Sequence, residues 1–279
     1  MAVTAEIQRI VRGALAEDVG TGDVTSVPII APTVRLEGDF LVKTRGVIAG
    51  LKVVGEVFAQ VDPAITYAPM VEDGSLVNPG DVVARVAGSG PGILIAERTT
   101  LNFLQRMSGI ATLAKRYVDA VVGTRARILD TRKTAPGLRV LDKMAVRLGG
   151  GANHRIGLYD MVLIKDNHIE AAGGITAAVQ RVREHVRDLP IEVEVESLEQ
   201  LDEALALGVD RIMLDNMSLD TMREAVRHAA DRVELEASGG VNLDTVAAVA
   251  ATGVDLISVG ALTHSVSALD ISLEITLVH

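Results

Sequence analysis

From Ala126 onward the chain alternates short strand-like runs with helical patterns, and no other feature of the sequence constrains the fold as much. Strand-like runs stand at 126–130 (ARILD), 161–166 (MVLIKD), 191–196 (IEVEVE), 211–216 (RIMLDN), 232–238 (RVELEAS) and 256–260 (LISVG). Helical patterns separate most of them, at 174–187, 197–207, 218–230 and 242–252. Ser197 with Gln200 reads as a capping box, and Ser218 and Asn242 read as N-caps. An internal echo, ALGVDRIML at 206–214 against ATGVDLISV at 251–259, marks repeated units. Alternation of this kind predicts a parallel sheet, and the repetition favours a barrel over an open sheet. Six strands are legible, fewer than a complete barrel needs.

The chemistry collects at the carboxyl ends of these runs, where a barrel opens its site. In order they are Asp130-Thr131-Arg132-Lys133, Lys165-Asp166, Glu194 and Glu196, Asp215-Asn216, Ser238-Gly239-Gly240, and Gly260. Between Asp130 and His168 fall seven Lys or Arg against four Asp, although the whole chain has 27 basic and 37 acidic residues and a net charge of −10. Arg132, Lys133, Arg139, Lys143, Arg147, His154, Arg155 and Lys165 therefore suit a ligand with several negative charges, because guanidinium forks match carboxylate and phosphate geometry. A solvated basic loop is the plainer explanation, but Gly149-Gly150-Gly151 and Asn153-His154-Arg155 are poor choices for one. Ser238-Gly239-Gly240 and Gly260 offer backbone N–H groups for a phosphate. Glu192, Glu194 and Glu196 share one strand face and need cations, metal or ligand hydroxyls; an ion pair with Lys133 or Lys165 would be the ordinary solution. His154 and His168 lack metal-ligand spacing with a third His or Cys, so no transition-metal site is expected.

Composition narrows the function further. The acidic balance disfavours a nucleic-acid partner. The absence of Cys excludes a disulfide scaffold, a thiolate nucleophile and Cys-ligated zinc. No apolar run approaches the roughly 18 residues of a membrane span, and the first twenty residues lack the apolar core of a signal peptide. A soluble, cytoplasmic protein is the expectation.

Before the alternating region, Ile7, Ile10, Val11 and Leu15 predict an amphipathic opening helix, followed by the turn-rich 17–26. Residues 33–48 alternate like strands. Residues 71–88 read as strand segments joined at Asp73-Gly74 and Pro79-Gly80, in the manner of carrier-module hairpins but with no modifiable Lys at either tip. After Pro91-Gly92 a helical pattern runs to about Val122. Arg98 sits near its start, against the helix dipole, so either a function or plain solvation would account for it.

Several blocks resemble quinolinate phosphoribosyltransferase: DTRKTAPGLR at 130–139, GGGANHRIGLYDMVLIKDNH at 149–168, EVEVES at 192–197, LDN at 214–216 and ASGG at 237–240. EDVGTGDVTS near the start and VGALTHS at 259–265 also match. The resemblance implies an α/β fold with an N-terminal α/β sandwich over residues 1–110, completed by 266–279, and an open seven-stranded α/β barrel over 111–265. It implies transfer from phosphoribosyl pyrophosphate to quinolinate with Mg²⁺, yielding nicotinate mononucleotide, pyrophosphate and CO₂, with no other cofactor. Carried onto this chain, Arg98, Thr131, Arg132, His154, Arg155 and Lys165 would bind substrate, chiefly the pyridine dicarboxylate, and Lys133 would sit between the substrates. Glu194 and Asp215 would meet ribose hydroxyls or Mg²⁺, directly or indirectly, and Lys133, Glu194 and Asp215 would carry the catalysis. Ser238-Gly239-Gly240 and Val259-Gly260-Ala261 would hold the 5-phosphate. The implied assembly is a homodimer in which Arg98 reaches the neighbouring site, with a hexamer left open. Two alternatives stay open at this point. One is the molybdenum-transport-associated sister phosphoribosyltransferase; the other is a sugar-phosphate lyase using Lys133 or Lys165 as a Schiff base.

Overall fold

The computed structural model describes residues 3–278. In chain order the elements begin with α1 (Ala5–Val19), α2 (Ser26–Ile29), β1 (Arg35–Val42), β2 (Gly46–Val47), α3 (Leu51–Val61), β3 (Thr66–Pro69), β4 (Leu76–Val77), β5 (Val82–Ser89) and α4 (Gly90–Ala120). Then follow β6 (Arg127–Leu129), α5 (Arg139–Leu148), β7 (Val162–Ile164), α6 (Asp166–Ala172), α7 (Ile175–His185), β8 (Ile191–Val195) and α8 (Leu198–Leu207). The last are β9 (Arg211–Asp215), α9 (Leu219–Ala229), β10 (Glu234–Ser238), α10 (Val246–Ala250), β11 (Leu256–Ser258), α11 (Ala261–His264) and β12 (Ile271–Leu277).

The chain divides into two compact units. One holds the residues up to Lys115, Thr134–Gly150, and those from Ser265 on; the other holds Arg116–Lys133 and Gly151–His264. Thr134–Gly150, read from sequence as part of the barrel, packs with the first unit. Arg106 of α4 grips the buried Asp142 of α5 with Nε and Nη2 at 2.9 and 2.8 Å. A Cβ on Gly149 would come within 2.3 Å of the Ala111 carbonyl oxygen, so only glycine admits that approach.

In the first unit a four-stranded antiparallel sheet runs β12-β1-β5-β3. Alternation along β1 buries Leu36, Phe40 and Val42, and Phe40 meets Phe58 of α3 edge-on at 6.2 Å. Turns form at both expected glycines, with φ +97° at Gly74 and +94° at Gly80, but no hairpin results. β4 pairs with β2, while β5 pairs with β1 and β3. Arg98 lies eight residues inside α4 rather than in its first turn, so the helix dipole does not bear on it.

In the second unit the strands are all parallel in the order β6-β11-β10-β9-β8-β7. That order is chain order rotated by one strand, as in an α/β barrel opened between β6 and β7. The family resemblance implies seven strands; among the described residues six form, and Ala152 adds a lone parallel bridge to Leu129 beside β6. Ser197 and Ser218 cap α8 and α9 through Gln200 N–H and Thr221 N–H, at 3.3 and 3.1 Å. Asn242 is not an N-cap. Its Oδ1 accepts from Asp244 and Thr245 in a turn, and α10 starts only at Val246.

Candidate active site

The end of β6 is fixed by a carboxylate that cannot face water. Asp130 is fully buried, so its oxygens need donors. Oδ1 accepts the His154 N–H at 2.9 Å, and Oδ2 accepts the Asn153 side-chain amide. With Ala152 N–H on the Ile128 carbonyl at 2.8 Å, residues 152–155 are laid along β6. Thr131, Arg132 and Lys133 leave on the other side of Asp130. Thr131 Oγ1 accepts the Lys133 N–H at 3.0 Å, and Thr263 Oγ1 donates to the Lys133 carbonyl at 2.9 Å.

These segments wall a cavity of about 320 Å³. Seven of its ten lining residues carry the expected chemistry: Thr131, Arg132, Lys133, His154, Arg155, Lys165 and Ser238. Leu163, Met213 and Ser258 complete it and escape sequence reading, since nothing local distinguishes them from core residues. Burial first, and then the charge of Arg132, push the Arg155 guanidinium below its ordinary pKa, against a pull from Glu192 and Asp160. Two guanidinium groups held together in a half-buried place fit a ligand carrying more than one negative charge. Arg155 Nη1 also donates to the Met161 carbonyl at 3.2 Å. Arg139, Lys143 and Arg147, counted in the same basic stretch, belong to α5 of the first unit, as α4 carries Arg98.

Glu194 is buried and forms the ion pair expected with Lys165, Oε2 to Nζ at 3.0 Å. Glu192 and Glu236 are also fully buried. Burial, with the neighbouring Glu192 charge second, drives the Glu236 carboxyl up to about 8; burial likewise lifts Glu192 to about 7, against the charge of Arg211. His154 Nε2 lies 2.9 Å from Glu192 Oε2 and 3.5 Å from Glu236 Oε2. This trio has the donor types of a cation site, which the spacing of histidines in sequence does not show because two of the donors are glutamates, on β8 and β10. Arg211 Nη1, however, stands 3.5 Å from Glu236 Oε2.

At the end of β10, Gly239 and Gly240 adopt φ +95° and +61°. A Cβ on Gly239 would fall 2.1 Å from Asn216 Oδ1, and Asn216 N–H donates to the Ser238 carbonyl at 2.9 Å. Beyond β11, Val259 N–H donates to the Leu129 carbonyl at 2.9 Å, and Ala261 opens α11. The bare α-carbon of Gly260 leaves room for Lys133 and His264, both within 3.2 Å of where its Cβ would stand. Asp215 ends β9 half-buried, with Oδ2 accepting from Asn216 Nδ2 at 2.7 Å. Among the described hydrogen bonds, Glu194 and Asp215 each use one carboxylate oxygen and leave the other for a hard cation, a fit to Mg²⁺, which takes one or two carboxylates alongside substrate phosphates.

Six parallel strands beside a pocket lined by Arg132, Lys133, Arg155 and Lys165 define an α/β protein with a cationic site. The chain belongs to the quinolinate phosphoribosyl transferase family: that family's N-terminal domain matches residues 23–108 and its C-terminal domain residues 110–274. It is 47% identical over 292 aligned positions to nicotinate-nucleotide pyrophosphorylase [carboxylating], chloroplastic, of Arabidopsis thaliana, covering 98% of this chain and 83% of that one. It is 42% identical over 273 positions to the probable nicotinate-nucleotide pyrophosphorylase [carboxylating] of Bacillus subtilis (strain 168), covering 98% and 94%. The crystal structure of NadC from Streptococcus pyogenes superposes with a TM-score of 0.96 at 39% identity, over 100% of both chains.

Proposed function

We propose that this chain transfers the phosphoribosyl group of phosphoribosyl pyrophosphate to quinolinate, releasing pyrophosphate and CO₂ and leaving nicotinate mononucleotide. Family membership and the names of its relatives support the reaction. The observation that carries the substrate is the crowding of Arg132 and Arg155 in one pocket with Lys133 and Lys165, inside a protein of net charge −10. Two adjacent carboxylates on a pyridine ring match that crowding.

In this reading Arg132, Arg155 and Lys165 receive quinolinate, and Ser238-Gly239-Gly240 with Val259-Gly260-Ala261 receive the 5-phosphate. Departure of pyrophosphate leaves positive charge at the ribose C1, which the Glu194 and Asp215 carboxylates stabilise. Lys133 neutralises the leaving group. Mg²⁺, when bound through Glu194 and Asp215, supplies further charge neutralisation there. The ring nitrogen, once alkylated, is an electron sink for loss of the neighbouring carboxylate as CO₂. The assembly in this proposal is a homodimer in which Arg98 serves the neighbouring site, in the cytoplasm. Among the described residues no helix is long and apolar enough to cross a membrane.

The test supplies purified protein with quinolinate, phosphoribosyl pyrophosphate and Mg²⁺ and follows CO₂ and nucleotide. Turnover of quinolinate but not nicotinate is expected. Arg132→Ala and Arg155→Ala should each weaken quinolinate binding by about 1.5–3 kcal/mol, the range of a charged hydrogen bond, with circular dichroism unchanged. Equal use of nicotinate would mean that the second carboxylate is not read.

A further inference from the structure

Behind the anion pocket runs a file of side chains that the reaction above leaves without a task. His154 and Ser258 line the pocket, and Glu192 and Glu236 lie fully buried behind them. Ser258 Oγ donates to Glu236 Oε1, and His154 Nε2 meets Glu192 Oε2 at 2.9 Å. Glu192 Oε1 and Glu236 Oε2 are buried without a hydrogen-bond partner. Two orphaned acceptors side by side are both satisfied by a single hydrogen carried between the carboxyls. A divalent cation would also find suitable donors here, but the Arg211 guanidinium 3.5 Å from Glu236 already supplies the positive charge.

The His154 ring is held at both nitrogens. Nδ1 accepts the Arg155 N–H at 2.7 Å, so the ring hydrogen sits on Nε2 and points at Glu192. The His154 N–H is spent on Asp130. Neither ring nitrogen is turned toward a ligand in this arrangement. What the ring does hold is the backbone of Arg155, the guanidinium that crowds Arg132.

We propose that Glu192 and Glu236 are positioning residues of the anion pocket: their buried contact clamps His154, and the clamped ring keeps Arg155 beside Arg132. This rests on the reading of that pocket as the quinolinate site. Its consequence is selective, because the clamp reaches the pocket through His154 and Arg155, and Arg155 is assigned to quinolinate and not to the phosphoribosyl donor.

The experiment compares Glu192→Leu, which removes the acceptor at similar volume, with Glu192→Gln, which keeps an acceptor for Nε2–H. Glu192→Leu should raise KM for quinolinate about ten-fold or more, the effect of a lost charged contact, while KM for phosphoribosyl pyrophosphate stays within about two-fold. Glu192→Gln should restore the wild-type value. Equal rises for both substrates, or an unchanged KM for quinolinate, would overturn the proposal. A second readout needs neither turnover nor a folded variant: the ring ¹⁵N shifts of His154 in wild-type protein, assigned through bonds from its backbone resonances. Hydrogen on Nε2 alone supports the clamp, and hydrogen on Nδ1 or on both nitrogens overturns it. Wild-type protein that leaves quinolinate untouched would sink the proposed reaction, yet the ring measurement would still decide the clamp.

Discussion

Glu236 is an acid that folding keeps protonated. Burial, with the Glu192 charge next, raises it from 4.5 to about 8, and burial raises Glu192 to about 7. The folded chain therefore binds these protons more tightly than the unfolded chain does. Their contribution is fully present below the ordinary glutamate value and is lost as pH rises toward about 8. Asp23, Glu199 and Glu274 are shifted down instead, so their contribution is fully present above the ordinary carboxylate values and is lost only as pH falls below them. The melting temperature should accordingly fall between about pH 5 and pH 8, and Glu236→Gln should flatten that slope. A melting temperature independent of pH across that window in wild type, or the same slope in the variant, would contradict it. This residue was not legible in sequence. ELEAS looks like an ordinary strand, and only the fold, which sets β8 and β10 on either side of β9, brings Glu236 close to Glu192 and His154.

At the scale of elements, the junction of β9 and β10 shows why a tight turn there tolerates one residue type. Gly239 combines φ +95° with an approach to Asn216 that leaves no room for a methyl group. Gly239→Ala should destabilise by about 1–3 kcal/mol from backbone strain alone, and should raise KM for phosphoribosyl pyrophosphate through the displaced Ser238 turn. Gly13→Ala, inside α1 with open space around it, is the control: it should raise stability by about 0.5–1 kcal/mol and leave KM unchanged. If the two variants behave alike in melting and kinetics, the turn is not built as described. The six parallel strands are readable as short runs buried on both faces, and the helices α7, α8 and α9 between them because each buries one periodic face. Helix α5 is not, because Arg139, Lys143 and Arg147 read as part of a basic ligand-binding stretch; Leu141, Met144 and Ala145 stand at helical spacing, and Asp142 is buried against Arg106. Helices α3 and α6 and strand β3 were also missed. Val53, Val54, Val57 and Phe58 of α3 carry a strand-like composition that tertiary packing overrode.

For the whole molecule, the placement of Arg98 outside the barrel unit makes the proposed dimer testable by mixing. Arg98→Ala and Lys133→Ala homodimers should both be nearly inactive. After reversible dissociation, half of randomly re-formed dimers are hybrids with one intact and one doubly defective site, so activity should return to about a quarter of wild type. Hybrids seen by native mass spectrometry without recovered activity would place Arg98 in its own subunit's site. The blocks of motif made the site legible in sequence. The route of the chain was not, because residue periodicity says nothing about which unit a segment joins. That route has a consequence for how the protein is made. Strand β1 takes β5 on one side early in synthesis, but its other side waits for β12, which leaves the ribosome after every barrel strand. Until then β1 presents a bare edge of backbone donors and acceptors, open to any passing strand. The barrel must emerge before the first unit can close its own sheet, so a chain stalled between Gly260 and Ile271 carries that sticky edge however well its barrel has formed.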